Sequence, residues 1–385
     1  MPAPRRARIF FYVQHLLGIG HLARASRIAT ALVEMGFAVT MVTGGGAVPG
    51  FPGAGVEVVS LPPIRARDIE FSALVDDEEN PIDNAFKQKR REALLAALRA
   101  TRPDIVITEA YPFGRRQMRF ELIPLLQAAD AMQPRPLIVS SIRDILQENR
   151  KPGRAEETCS IIERYFDLVL VHGDPQFARL EDSFSLAARI ADKIVYTGLV
   201  APPGVLSAKD GFDVVVSCGG GAAAGHLLAA AIEAASRLQS RLPRWCLISG
   251  PNQRPAPTGL PSNVELFAFR DDFPALLAKA RLSISQAGYN TVCDILVAGC
   301  LSVLVPFAGS GETEQALRAG RLAKLGLAET IAETDLSAGT LMEAIERALA
   351  SPPASHSLKL DGAHGTARIL QSRLESYSQA PATTL

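Results

Sequence analysis

The chain has 385 residues, of which 48% are hydrophobic, 6% aromatic and 21% charged, with a formal net charge of +0. That length sets an expectation of two or three domains, each with a sizeable core. The charge balance argues against nucleic acid as a partner. The five cysteines are odd in number and form no Cys-x-x-Cys pair, so they are read as buried reduced thiols rather than a disulfide framework.

No apolar run reaches the ~20 residues of a spanning helix, so no transmembrane segment is expected. The basic N-terminus passes straight into a strand-like segment without an apolar signal region. The reading is cytoplasmic, with peripheral attachment at the inner face of a membrane kept open. Basic clusters at residues 5–8 and 87–91, and Arg115-Arg116 with Arg119, are taken as solvated surface.

Residues 9–13 predict a buried strand, followed by a turn and an Ala/Leu/Ile-rich helix over 22–35 that Gly36 stops. Residues 38–42 are the next strand, completing a βαβ unit. Its first turn carries Gly18 and Gly20, but His21 follows the second glycine directly, so the dinucleotide fingerprint GxGxxG is not met. His21 is a candidate general base, because an ordinary imidazole pKa of ~6.5 lies near working pH. A hydrogen bond at the helix start is the plainer alternative. Arg24 lies one helical turn on, on the same face.

Further strands are expected at 56–61, 105–108, 137–141 and 168–172, with helices over 84–100, 117–131, 158–165 and 175–180. This alternation predicts a parallel, doubly wound α/β sheet. Glu109, Arg143, Asp144 and His172 fall at strand ends, where open α/β sheets bind ligands. They are candidates for the acceptor side, with a structural ion pair or cap as the alternative for each. Residues 65–80 form a long polar connection, read as an acceptor-side lid.

Residues 196–200 end a first domain spanning 1–200, and a Pro/Gly linker leads to a second over 207–357. A strand over 212–217 runs into Gly219, Gly220 and Gly221 and then a helix, repeating the plan of the first half. Three glycines allow backbone N–H groups to close on a diphosphate, although such turns also serve packing alone. Strands follow at 245–249 and 264–267, then Phe269, Arg270, Asp271 and Asp272, the two acids being expected caps for a helix over 273–278. From Ser283 the chain reads as a strand, a turn at Gly288, and a helix capped by Asn290 or Thr291 and stopped by Gly299. A buried strand over 301–305 and an acidic loop opening another helix come next. Two helix N-termini thus fall at the ends of adjacent strands, which suits a phosphate-bearing ligand. A last amphipathic helix over 358–375 is expected to cross back to the first domain.

These segments resemble the GT-B glycosyltransferases, with the nearest likeness to family 28, the peptidoglycan lipid-intermediate N-acetylglucosaminyltransferase type. Ala287-Gly288-Tyr289-Asn290-Thr291-Val292-Cys293-Asp294 is similar to its Ser/Ala-Gly-x-x-Thr-x-x-Glu segment, with Asp294 in place of the ribose-gripping glutamate and one methylene shorter. Glu312-Thr313-Glu314-Gln315 stands where the family has Asp-x-Gln-Gln, so Glu314 and Gln315 would address sugar hydroxyls. Phe269 and Arg270 take the place of residues at the base, and Gly219 to Gly221 that of a phosphate-binding turn, here without its serine. Gly18-Ile19-Gly20-His21 resembles the family's opening turn with one glycine fewer, which implies that His21 faces the reaction centre.

The resemblance implies two Rossmann-like domains facing across a cleft. It implies inverting transfer of a sugar from a nucleotide donor, a UDP-sugar, to a hydroxyl of an unknown acceptor, with lipid-linked acceptors among the options. It implies no cofactor and no metal, in keeping with the lack of an Asp-x-Asp motif in a suitable loop. Two alternatives stay open. Gly-x-Gly-His-x-x-Arg also resembles UDP-sugar hydrolases of pseudaminic acid synthesis, and a non-catalytic nucleotide-sugar binding protein would need the same donor site. The first half is similar, through Gly-Ile-Gly-His-Leu-Ala-Arg-Ala and Ser-Ile-Arg-Asp-Ile-Leu, to a group of predicted bacterial glycosyltransferases that implies no particular acceptor.

Overall fold

A computed structural model describes residues 5–16, 18–46, 48, 50–67, 73–147, 151–204, 208, 210–219, 224–250, 259–352 and 355–379. It divides into two compact units, one of Met1–Val200 with Leu358–Leu385 and one of Ala201–Ser357.

The first unit runs β1 (Arg8–Val13), α1 (Gly20–Glu34), β2 (Ala38–Thr43), β3 (Glu57–Ser60), β4 (Arg65–Ala66), β5 (Leu74–Val75), α2 (Asn84–Thr101), β6 (Ile105–Glu109), α3 (Arg119–Asp130), β7 (Leu137–Arg143), α4 (Arg154–Tyr165), β8 (Leu168–His172) and β9 (Ile194–Tyr196). Seven strands pair in the order β3-β2-β1-β6-β7-β8-β9, and β1 is parallel to both neighbours, with Phe11 opposite Met41 and Ile107. The run Ile9 to Val13 is wholly buried, as a central strand covered by helices on both faces must be. Strand order reverses between β1 and β6, and their carboxyl ends lead to His21 and Glu109.

The second unit runs β10 (Val214–Ser217), α5 (Ala224–Arg237), β11 (Trp245–Ile248), β12 (Val264–Phe267), α6 (Phe273–Lys279), β13 (Leu282–Ser285), α7 (Tyr289–Ala298), β14 (Ser302–Leu304), α8 (Glu314–Lys324), β15 (Glu329–Thr330) and α9 (Ala338–Ala350). Its sheet is parallel in the order β12-β11-β10-β13-β14-β15, with the reversal between β10 and β13. The chain then returns to the first unit as α10 (Gly362–Gln379), which packs on α1. Close approach fixes two glycines there: a Cβ at Gly362 would lie 2.2 Å from Gly198 O, and one at Gly365 2.3 Å from Thr197 O.

Several elements differ from the sequence reading. No helix forms over 175–180, because the Asp174 carboxylate accepts from Gln176 N at 2.9 Å and competes with helical hydrogen bonds. Residues 65–80 are not one open loop. β4 and β5 pair antiparallel, and Asp76 accepts from Glu78 N and Asn80 N, both at 2.9 Å. Helix α7 begins at Tyr289 with Gly288 extended at its N-cap and no side-chain cap, so neither Asn290 nor Thr291 caps it. Asp272 stands at the N-cap of α6 without capping it, because its carboxylate turns to Arg270 at 2.7 and 2.8 Å. All five cysteines are buried and free.

Candidate functional site

The first unit gathers an ionic cluster at the ends of β1, β6 and β7. Glu109, the last residue of β6, is fully buried, and its two oxygens have three donors. Arg24 pairs with Oε1, His21 Nδ1 lies 3.0 Å from the same atom, and Ser141 Oγ donates to Oε2 at 2.7 Å. Burial alone would raise the carboxyl's pKa. Arg24 and the hydrogen bonds from His21 and Ser141 overcome it and hold the group well below the usual carboxylate range.

An ionised Glu109 fixes the imidazole tautomer. His21 Nδ1–H donates to it, which leaves the Nε2 lone pair available. Burial, followed by the repulsion of Arg115, Arg143 and Arg24, pushes the His21 pKa well below its ordinary 6.5 against the pull of Glu109. The ring is therefore a neutral base at neutral pH. It borders a cavity of about 100 Å³ lined also by Arg24, Phe113, Arg115, Arg143 and Gln147.

His172 stands behind this cluster, fully buried, with Nε2 2.9 Å from Ser141 Oγ and Nδ1 2.9 Å from Thr197 Oγ1. Burial pushes its pKa down to about 3. It meets the cluster through Ser141, and it is not among the residues lining the cavity. Asp144 is buried too, its Oδ1 accepting from Ile145 N at 2.8 Å. Gly20 is the first residue of α1 and Gly18 lies in the turn before it.

The sequence reading missed the support of this turn. Gln14 Nε2 donates to the carbonyls of His15, Gly44 and Ile64 at 2.7, 3.0 and 3.1 Å. Arg90, fully buried, donates to Gln14 Oε1 at 2.5 Å and to Glu121 Oε2 at 2.6 Å, and Tyr12 donates to Glu121 at 2.5 Å. It also missed Arg115, which turns inward rather than sitting in a solvated cluster; its Nε donates to Gln14 O at 2.8 Å.

The second unit presents the turns after β10 and β13. Gly219 has φ 67°, and a Cβ there would lie 2.7 Å from Gln286 Oε1, so the two turns touch. Gly220 and Gly221 lie outside the described residues. Gly288, Asn290 and Thr291 form the start of α7, and Asp294 is buried in its next turn. Arg318, fully buried on α8, donates to Ala287 O at 2.9 Å and to Glu314 Oε1 at 2.7 Å, with its guanidinium 5.7 Å from the Tyr289 ring centroid. Glu314 is thus the counter-ion of a buried arginine that braces the Gly288 turn. Gln315 Oε1 accepts from Phe307 N at 3.2 Å. Arg270 pairs with Asp210 and Asp272 and lies 4.8 Å over the Phe267 ring, and beside it Phe269 is 65% exposed. Among the described residues no group of three or more His, Cys, Asp or Glu side chains converges to hold a metal ion. Among them, too, no helix is long and apolar enough to cross a membrane.

Comparison with known proteins places these features. Residues 214–368 match the glycosyltransferase family 28 C-terminal domain. A UDP-N-acetylglucosamine--N-acetylmuramyl-(pentapeptide) pyrophosphoryl-undecaprenol N-acetylglucosamine transferase of Rhodopseudomonas palustris is 37% identical over 107 residues, 28% of each chain. Its namesake in Brucella canis is 37% identical over 94 residues, 24% of each. The likeness thus spans about a quarter of these relatives' length. Solved structures cover nearly the whole chain. The calicheamicin glycosyltransferase CalG4 has TM-score 0.62 and 18% identity, covering 98% of this chain and 100% of its own. Acinetobacter baumannii MurG has TM-score 0.58 and 15% identity, covering 95% and 99%. The two parallel-sheet, Rossmann-like α/β units are those of the GT-B fold.

Proposed function

We propose that this chain, of GT-B fold and family 28 type with the family's C-terminal domain in its second unit, is an inverting glycosyltransferase that moves a sugar from a UDP-sugar to an acceptor hydroxyl. The observation that carries the reading is the His21–Glu109 pair, a neutral imidazole with Nδ1 held by a buried carboxylate and Nε2 free to take a proton. In the step, the acceptor O–H proton passes to His21 Nε2 as the oxygen attacks the anomeric carbon. The bond from that carbon to the diphosphate breaks, and the UDP leaves with the electron pair. Glu109 stabilises the imidazolium as it forms.

The second unit is assigned the donor. The glycine turn at Gly219 to Gly221 and the start of α7 are assigned the phosphates, where the positive helix end stabilises the leaving diphosphate without a metal. Asp294 takes the ribose and Phe269 with Arg270 the base. Of the acidic loop, Gln315 addresses the sugar through its amide nitrogen, and Glu314 acts through Arg318. The UDP-N-acetylglucosamine in the relatives' name supports a UDP donor, and their undecaprenol-linked acceptor supports a lipid-linked one with peripheral membrane location. Calorimetry against UDP, GDP and dTDP tests the reading: UDP is expected to bind best, and binding of none of them refutes it. UDP release from a UDP-sugar at an equal rate with and without acceptors would turn the reading to hydrolysis.

A further inference from the structure

Four polar side chains line up across the carboxyl ends of neighbouring strands in the first unit. Glu109 ends β6 and lies opposite Ser141 of β7 in the ladder. His172 ends β8, and Thr197 follows β9. Their relative exposures are 0, 1, 0 and 5%. Packing alone would be served by apolar side chains here, because each buried polar atom loses water and must find a partner. The atoms meet in sequence. Glu109 Oε2 and Ser141 Oγ are 2.7 Å apart, Ser141 Oγ and His172 Nε2 2.9 Å, and His172 Nδ1 and Thr197 Oγ1 2.9 Å.

Counting protons gives this row a direction. Ionised Glu109 only accepts, and Ser141 has one hydroxyl proton, which goes to Oε2. Ser141 Oγ therefore meets His172 as an acceptor, which puts a proton on His172 Nε2. In the neutral ring Nδ1 is then bare and accepts from Thr197 Oγ1. Thr197 has a rival acceptor in Gly198 O at 2.8 Å. With its proton spent there, the ring proton would sit on Nδ1, and the bare Nε2 would compete with Glu109 for the one proton of Ser141. The negative charge at the end of the row decides between the two. In the first arrangement every donor points its positive end toward Glu109, and the low dielectric of the interior strengthens that alignment.

We propose that Ser141 and His172 are positioning residues for the base: His172 donates through Nε2 to Ser141, so that Ser141 holds Glu109 Oε2 and leaves Oε1 to His21 and Arg24. The inference rests on the reading of His21 as the base and adds two residues that act on it through Glu109. A donor on Oε2 draws charge from the carboxylate. It thereby sets how strongly Oε1 pulls on His21 Nδ1–H, and so how basic Nε2 is. The charged groups facing His172 are Arg24 from α1 and Glu109 from β6. Those facing His21 are Glu109, Arg115, Arg143 and Arg24.

The test uses the full chain with isotopically labelled histidine at neutral pH, without substrate. His21 and His172 are assigned through His21→Gln and His172→Gln. Nitrogen shifts separate a protonated ring nitrogen from a bare one, and His172 is expected to carry its proton on Nε2. Ser141→Ala and His172→Phe should each shift the His21 Nδ1 signal. His172→Gln, whose amide keeps a donor at the ε position, should hold that signal near the wild-type value. In turnover, Ser141→Ala should lower kcat about tenfold, the worth of one hydrogen bond, and leave KM for the sugar nucleotide unchanged. It should also move the acid limb of kcat/KM upward, since a Glu109 with one donor fewer favours the imidazolium. If His172→Phe does not fold, Ser141→Ala, which removes a single hydroxyl, carries the same readout. The proposal is overturned if the His172 proton sits on Nδ1, or if the His21 signal stays put in Ser141→Ala or in folded His172→Phe. A role in packing alone would lower stability and leave that signal in place. Wild-type protein that binds no nucleoside diphosphate would sink the transferase reading alone, because the nitrogen shifts are read without substrate.

Discussion

Removing the His21 imidazole is best done with His21→Ala, because the structure separates chemistry from stability at this position. The side chain is 17% exposed, and its loss leaves Glu109 still bonded to Arg24 and Ser141, so no buried charge is orphaned. Stability should change by less than about 1 kcal/mol, within the ordinary range for such sites. A positioned base is worth roughly 10²–10⁴-fold in turnover, or about 2.7–5.4 kcal/mol at ~1.36 kcal/mol per decade. UDP affinity should hardly move, since the nucleotide contacts are assigned to the second unit. The pH profile adds a second readout. Only neutral His21 accepts a proton, and burial with Arg115 depresses its pKa, so the acid limb of kcat/KM should lie well below 6.5. Arg115→Gln removes one depressing charge and should move that limb upward. Unchanged specific activity in His21→Ala, or a wild-type acid limb at or above 6.5, would refute the assignment.

Three further outcomes are expected. Asp294→Ala should weaken UDP binding about tenfold, the worth of one lost hydrogen bond to a polar ligand, with a smaller effect on kcat; calorimetry and steady-state kinetics separate the two. His172, held at about 3 against 6.5 when unfolded, contributes stability that is present above pH 6.5 and lost as pH falls toward 3. Its share of the loss should reach about 2 kcal/mol at pH 5 in denaturant titrations, and His172→Gln should flatten that part of the curve. Glu314→Gln, which restores the family's amide, should destabilise the chain by about 3 kcal/mol, because it removes the carboxylate paired at 2.7 Å with the buried Arg318; a neutral result in thermal unfolding would show that the pair is dispensable.

The fold was legible because its signals are local. Apolar runs such as Ile9 to Val13, glycine stops at Gly36 and Gly299, and the repeated strand–glycine–helix plan need only a few neighbouring residues to be read. Strands β9 and β15, of three and two residues, are too short to show a period, and the 175–180 segment was decided by one carboxylate competing for a backbone N–H. The His21–Glu109 pair joins residues 88 apart. The glycine turn marked His21 and a strand end marked Glu109 as candidates, but only topology brings them together across the β1/β6 reversal. Arg115 was illegible for a different reason. Beside Arg116 and near Arg119 it has the composition of a surface cluster, and its inward turn depends on a left-handed backbone that no arginine announces.

Departures from the family pattern gain a physical sense once partners are visible. Read as letters, Glu314 is a lost glutamine. In the structure it is one half of a buried pair whose other half, Arg318, also holds Ala287 O, one residue before the turn at Gly288. Glu314 therefore serves the buried charge of Arg318, at 2.7 Å, rather than standing free in the loop. Asp294 lies in the second turn of α7, and Arg318 holds Ala287 O just before that helix begins. The Gly288 turn is thus braced by a charge pair where the family pattern has an amide, so a change at Glu314 is expected to reach the start of α7 through Arg318.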